Sequence, residues 1–282
     1  MMGIRLLTLI TISFWSSTSS QKTFEEYRIL EKRFDSQNKI DSLNTVLRNH
    51  LTSAIQQTDT LEQLKVLRWM YWYSEEENDS KNIQNSISEL MINVSNKREE
   101  ALNLYTYGSK KYYKGDYKTA LELFQNSLTI SQESGSSKEI VDNIVAISGI
   151  YRELRKHQYA DKFLEESLTY IQSKFPDDSK TLSYLIYLEI AKNNIESSSY
   201  SKALINMELA TKNVLLENWG SLDHKLIEAQ INFYNGNIIK ARDTLSKYVR
   251  DFEAIDLPIT HYILGLCYKK IPLNSEANLH LT

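Results

Sequence analysis

Five histidines and one cysteine hold most of the nucleophilic, proton-transfer and metal-ligating capacity of this chain, and none has a companion nearby in sequence. His50, His157, His224, His261 and His280 are far apart, so each reads as a single surface or core imidazole rather than one arm of a metal site. Cys267 lies in the helical stretch Ile263 to Tyr268, where a thiol behaves as a small buried hydrophobe. No Gly-rich phosphate loop, His-Glu-x-x-His helix, cysteine pair or Gly-x-Ser-x-Gly elbow occurs. Carboxylate pairs such as Glu165-Glu166 fall in stretches rich in Lys and Ser, where a solvated helix face accounts for them without acid-base work. The run Glu75-Glu76-Glu77-Asn78-Asp79 has no turn glycine and suits a solvated turn rather than a cation site. The expectation is a protein without catalysis, metal or cofactor. An enzyme would need a site assembled across distant segments, with His261 and Cys267 as the residues to test.

What remains is binding, and composition bounds it. Lys and Arg number 33 against 36 Asp and Glu, and a formal charge of −3 gives no general electrostatic reason to hold nucleic acid or an anionic membrane. A local patch is compatible with that balance. A hydrophobic fraction of 41% is that of an ordinary globular chain able to bury a core. Three prolines and eight glycines leave room for long helices and argue against a turn-rich β-sandwich.

The first twenty residues read differently. Met1 to Arg5 carry one positive charge, Leu6 to Trp15 form an apolar run, and Ser16 to Ser20 supply small residues, the order of a secretory signal peptide. A membrane span needs roughly 20 apolar residues, and this run is shorter. Cleavage near Ser20 takes the formal charge to −4 and leaves a periplasmic or secreted chain with no membrane span. The other reading is an N-terminal helix packed on the rest. With Cys267 alone, no intramolecular disulfide forms, so stability comes from packing.

The elements that must position any binding residues are helices in pairs. From about residue 98, Leu102, Leu104, Tyr105 and Tyr107 lie on one helix, and Leu121, Phe124, Leu128 and Ile130 give the helical spacing of a second, with Gly115-Asp116 between. The unit returns with Ile144, Ile147, Ile150 and Tyr151 before Phe163, Leu164 and Leu168, and again with Leu185, Leu188 and Ile190 before Leu204, Met207 and Leu209. Asp177-Asp178-Ser179 suits a helix start before Leu182, and Asp256 with Pro258 another before Ile259. Residues 21–97 are helical by pattern but irregular. Phe24–Phe34 with Ile40–Ile55 reads as one hairpin, and Leu61–Tyr71 with Ile83–Met91 as a degenerate pair.

An alanine marks the frame: Ala120, Ala160, Ala203, Ala241 and Ala277, at intervals of 40, 43, 38 and 36 residues. Repetition at this period indicates stacked supersecondary units. Counting from Ala101, Gly108, Ala120 and Ser127 hold the eighth, twentieth and twenty-seventh positions, with Phe124 the bulky residue between. From Val141 these are Ser148, Ala160 and Ser167, and from Tyr184 they are Ala191, Ala203 and Ala210. Weaker units begin near Leu222, with Ala229 and Ala241, and near Pro258, with Gly265 and Ala277. This pattern resembles the tetratricopeptide repeat family. The resemblance implies a right-handed superhelical solenoid of antiparallel helix pairs over residues 98–282, with small residues where helices cross closely. The units here exceed the family's usual length of about 34 residues, and generic helical hairpins are the alternative.

The resemblance also implies a non-catalytic scaffold that holds a protein or peptide in a concave groove lined by the first helix of each unit. Carried over position by position, the groove residues are Tyr105, Tyr112 and Tyr113; Val145 and Arg152; Leu188 and Lys192; Gln230, Phe233 and Tyr234; and Tyr262, Lys269 and Lys270. Tyr and Arg make interface anchors because they bury much area with a polar end. The carboxylate clamp of chaperone-binding members is absent, since the ninth positions are Ser109, Gly149, Lys192, Gln230 and Leu266. No nucleic acid is expected as partner. Because the last unit stops five residues after Ala277, the chain ends either in a short capping helix or as a fragment. On the second reading it is the exported sensory domain of a longer membrane-linked signalling or transcription-regulating protein.

Overall fold

The computed structural model describes residues 24–37, 39–213, 222–249 and 257–270. The proposed leader, Asp256, His280 and Ala277 with the end of the last unit lie outside them. Every regular element among the described residues is helical: α1 (Phe24–Ser36), α2 (Ile40–Gln56), α3 (Thr60–Tyr73), α4 (Glu77–Asn93), α5 (Lys97–Tyr113), α6 (Tyr117–Ser134), α7 (Ser137–Glu153), α8 (His157–Lys174), α9 (Ser179–Glu196), α10 (Tyr200–Asn213), α11 (Leu222–Tyr234), α12 (Ile238–Tyr248) and α13 (Leu257–Lys270). None is long and apolar enough to cross a membrane. The helices divide into two compact units, α1–α4 ending at Ser95 and α5–α13 beginning at Asn96.

The larger unit is an all-α helical solenoid. Each helix from α5 to α13 packs on the next, and the first helices also pack on one another, α5 on α7, α7 on α9, α9 on α11 and α11 on α13. The second helices α6, α8, α10 and α12 therefore back a continuous layer of first helices. One turn geometry links every pair. At Gly115, Arg155, Ser198 and Gly236 the backbone enters the left-handed region with φ of 76, 56, 59 and 84°. There the next amide reaches back to close the first helix, as in Asp116 N to Lys111 O at 3.0 Å and Lys156 N to Tyr151 O at 2.8 Å. Each left-handed residue stands five positions before a repeat alanine, so turn and alanine share one frame.

The alanines Ala120, Ala160, Ala203 and Ala241 are fully buried. They mark where second helices meet first helices closely. Gly108 makes the same point from the opposite helix: a Cβ added there would lie 2.9 Å from the Phe124 ring and 3.3 Å from Leu123 Cβ. Phe124, Leu164 and Met207 fill the space between the small residues, at 2, 0 and 4% exposure. Cys267 is a core thiol among Leu226, Ala229, Leu245 and Leu264, and burial pushes its pKa up to about 11.

In the smaller unit the repeat turn falls between α2 and α3, where Thr58 takes φ 53° and Asp59 N reaches Ala54 O at 3.0 Å. The pairs expected from the sequence do pack, α1 on α2 and α3 on α4, but the turn with repeat geometry is the one between α2 and α3. α2 and α3 thus form a hairpin of the same kind as the pairs of the larger unit. The position matching the repeat alanine is Gln63, which explains why the alanine frame stops short of this unit. The acidic run is not one turn: Glu77 and Asp79 form the first turn of α4, where carboxylates favour the helix N-terminus. His50 is a core imidazole joining three helices, with Nδ1 2.6 Å from Glu31 of α1, Nε2 3.1 Å from Glu62 of α3, and the Tyr27 ring stacked on it at 4.7 Å.

Candidate partner-binding surface

On the first-helix layer, most of the residues singled out by position are already bonded within the protein. Arg152, at the end of α7, pairs through Nη1 with Glu189 of α9 and through Nε with Glu196 at 3.3 Å. Lys192 closes on the other oxygen of Glu189 at 3.0 Å. Glu189 is buried, and burial alone would raise its pKa; the charges of Lys192 and Arg152 outweigh that and hold it below the usual carboxylate range. Burial works against the Arg152 charge too, but Glu189 more than compensates and raises its pKa. Tyr112 of α5 donates to Glu153 Oε1 at 3.3 Å, and burial with that carboxylate pushes the phenol up to about 12.

Beside this cluster is Gly149. A Cβ there would meet only Arg152 Nη2 and the Tyr112 hydroxyl, both at 3.9 Å. Unlike Gly108, this glycine is not required by packing. It leaves a methyl-sized space bounded by two hydrogen-bond donors, and Nη2 makes no hydrogen bond to the described residues.

The other expected residues divide by burial. Tyr105 packs on Phe124 with ring centroids 5.3 Å apart, and burial pushes its hydroxyl up to about 12. Val145 and Leu188 belong to the core. Phe233, expected in the groove, is 7% exposed and packs with Ala229, Ala241 and Leu264, while Lys270 Nζ stands 4.8 Å from its ring centroid. Its register turns it toward α12 rather than outward. Gln230 is half-buried and Lys269 is exposed. Tyr113, Tyr234 and Tyr262 remain outward at 70, 40 and 53% exposure. Tyr234 stacks face to face on Tyr200, centroids 4.5 Å and planes 5° apart, and Asn235 Nδ2 reaches Tyr200 O at 3.5 Å. Burial raises the Tyr234 hydroxyl, with Tyr200 and Tyr262 adding to the effect.

The polar groups that sequence reasoning missed are those joining successive units. Arg98 of α5 holds Glu139 of α7 at 2.7 Å, and Asn193 Nδ2 of α9 donates to His157 O and Asp161 Oδ1 of α8 at 2.9 and 2.6 Å. The Tyr184 hydroxyl and His224 Nδ1 meet at 3.2 Å between α9 and α11. A signal existed: Arg98–Glu139 and Arg152–Glu189 are opposite charges separated by 41 and 37 residues, about one repeat. Glu189 is also a carboxylate inside the apolar run Leu185 to Ala191, which predicts a partner. Among the described residues no group of three His, Cys, Asp or Glu is disposed to hold a metal ion.

The class that fold and surface define is an all-α helical-repeat protein with an outward first-helix layer. No family model matches the chain, and no curated relative does. Among solved structures, it is similar to one reported for PilF of Pseudomonas aeruginosa, at 12% identity and a TM-score of 0.46, covering 83% of this chain and 94% of that one. It is also similar to BtubC of P. vanneervenii, at 14% identity and a TM-score of 0.40, covering 92 and 84%. The fold class rests on the chain's own helix pairs.

Proposed function

We propose that the α5–α13 solenoid is a non-catalytic scaffold of tetratricopeptide-repeat type that binds a protein or peptide against its first-helix layer. The observation that carries this is the aromatic group at α10, α11 and α13. Tyr234 and Tyr262 expose large rings to solvent, yet Tyr234 is already held in place by stacking on Tyr200. Rings ordered before contact lose little entropy on binding and make good interface anchors. Arg152 and Lys192 contribute chiefly by fixing the layer, since Glu189 holds both. Export to the periplasm or beyond rests on residues 1–20 alone and is part of the same proposal.

The test is capture from the native source with wild-type chain and with Tyr234→Ala/Tyr262→Ala. Loss of the captured protein with an unchanged thermal midpoint supports the reading. Undiminished capture by the double variant overturns it. Arg152 is unsuitable for this purpose because its removal leaves a buried carboxylate short of a partner.

A further inference from the structure

The turns joining α5 to α6 and α7 to α8 lie on the edge where Tyr200 and Tyr234 also stand, but in the two repeats that precede them. They adjoin each other, since the Tyr112 hydroxyl at the end of α5 bonds Glu153 at the end of α7. Lys111, Lys114, Lys118, Arg155 and Lys156 gather there, with Asp116 and Glu153 the carboxylates among them. The carboxylates are engaged: Asp116 accepts from Thr119 N at 3.3 Å and pairs with Lys111 at 3.5 Å, and Glu153 accepts from Tyr112. Lys114, Lys118 and Arg155 pair with no carboxylate among the described residues, and Lys156 makes only a 6.0 Å approach to the Tyr159 ring. Tyr113, Tyr159 and Leu154 stand among these cations at 70, 66 and 42% exposure.

Three local preferences are set aside at this edge. Arg155 occupies a left-handed backbone position that Gly115 and Gly236 fill in the equivalent turns. Lys156 is the N-cap of α8 and Lys118 lies in the first turn of α6, where the helix dipole disfavours a cation; Asp116 caps α6, whereas no side chain caps α8. Beneath them Lys110 is buried, and burial with the nearby Lys114 charge lowers its pKa to about 8.

We infer that this basic, tyrosine-bearing turn edge binds an acidic peptide segment of a partner protein, one that carries apolar residues between its carboxylates. Lys114, Lys118, Arg155 and Lys156, with the N-terminus of α8 that no side chain caps, meet the carboxylates, and Tyr113, Tyr159 and Leu154 receive the apolar side chains. A short peptide fits better than a nucleic acid. The cations cover only two turns, and the next turn along the edge presents Glu196 and serines, which interrupt the continuous basic track that a phosphate backbone follows.

The test uses the full chain and a fluorescent peptide of alternating Asp, Glu, Leu and Tyr, its Asn/Gln counterpart, and single-stranded oligo-dT. The acidic peptide is expected to bind with an affinity that falls as salt rises. Lys114→Glu/Arg155→Glu/Lys156→Glu should weaken it at least tenfold, and Tyr113→Ala/Tyr159→Ala severalfold with the salt dependence retained. These side chains are exposed, so circular dichroism should be unchanged. Tyr234→Ala/Tyr262→Ala should leave the peptide affinity intact, separating this edge from the layer proposed above. Equal binding of the neutral peptide, no loss on charge reversal, tighter binding of oligo-dT, or equal loss in the Tyr234/Tyr262 variant overturns the inference.

Discussion

Arg152 and Lys192 on the first-helix layer share a buried carboxylate, whereas Lys114, Lys118, Arg155 and Lys156 at the turn edge share none. The two groups are alike in composition and lie in successive repeats, α5–α8 for the edge and α7 and α9 for the layer. A recurring cation in a repeat protein can be bound within the array or left without a counter-charge, and the carboxylate within its reach, three residues away for Lys192 and one repeat away for Arg152, distinguishes the two. On the layer both cations are paired within the protein. The edge keeps its charge available.

The comparison breaks most visibly at Arg152. Arg152→Ala leaves Glu189, which is 4% exposed, with Lys192 as its remaining cation. A loss of about 3–5 kcal/mol is expected, measured as a fall in the denaturation midpoint. Arg152→Met/Glu189→Leu should recover most of it, because removing both charges also removes the desolvation penalty. Lys114→Ala and Lys118→Ala should leave the midpoint where it was. Comparable losses at both sites would erase the distinction between structural and presented cations.

The glycines repeat the contrast without charge. Gly108→Ala forces a methyl against the buried Phe124 ring at 2.9 Å, and a cost of about 1–3 kcal/mol is expected. Gly149→Ala meets nothing nearer than 3.9 Å and relieves a mid-helix glycine, so a gain of about 0.5–1 kcal/mol is expected in the same denaturation experiment. A loss at Gly149 would mean the space beside it is needed by the fold.

These two glycines also show what the sequence made legible. The helix pairs, the buried alanines and the small residue at position 108 follow from spacing, because close helix crossings tolerate only small side chains. The α2–α3 hairpin was not legible: its turn recurs in backbone geometry at Thr58, but Gln63 replaces the alanine that carried the frame. Of the positions assigned to the groove, Tyr262 stands exposed and Phe233 is buried, because a helix position fixes a direction from the axis and not what the adjoining helix covers. Arg152 was legible as a cation on the layer, while its commitment to Glu189 depends on which side chains successive units bring within reach.

Acid titration probes another polar contact built into the layer. Burial, with Lys225 nearby, lowers the His224 pKa below the ordinary 6.5, so the fold favours the neutral ring beside the Tyr184 hydroxyl. The folded chain then holds fewer protons at this site than the unfolded chain once the pH drops below about 6.5. Stability should fall from there downward, at no more than about 1.4 kcal/mol per pH unit for one proton. His224→Gln should flatten that part of the profile, whereas an unchanged slope would assign the acid sensitivity elsewhere.

The smallest effects lie in the turns, where they separate stability from binding. Arg155 and Ser198 both hold a left-handed backbone with a side chain that disfavours it. Replacement by glycine relieves that strain but adds unfolded-state entropy, leaving an expected gain of about 0.5–1 kcal/mol at either site. Only Arg155 belongs to the basic edge. Arg155→Gly should therefore raise the thermal midpoint while weakening the acidic peptide, and Ser198→Gly should raise it with peptide affinity unchanged. If both variants gain stability and neither loses affinity, the arginine at the turn has no binding role. If Arg155→Gly lowers stability instead, its guanidinium supports the fold, and the turn cations belong with Arg152 after all.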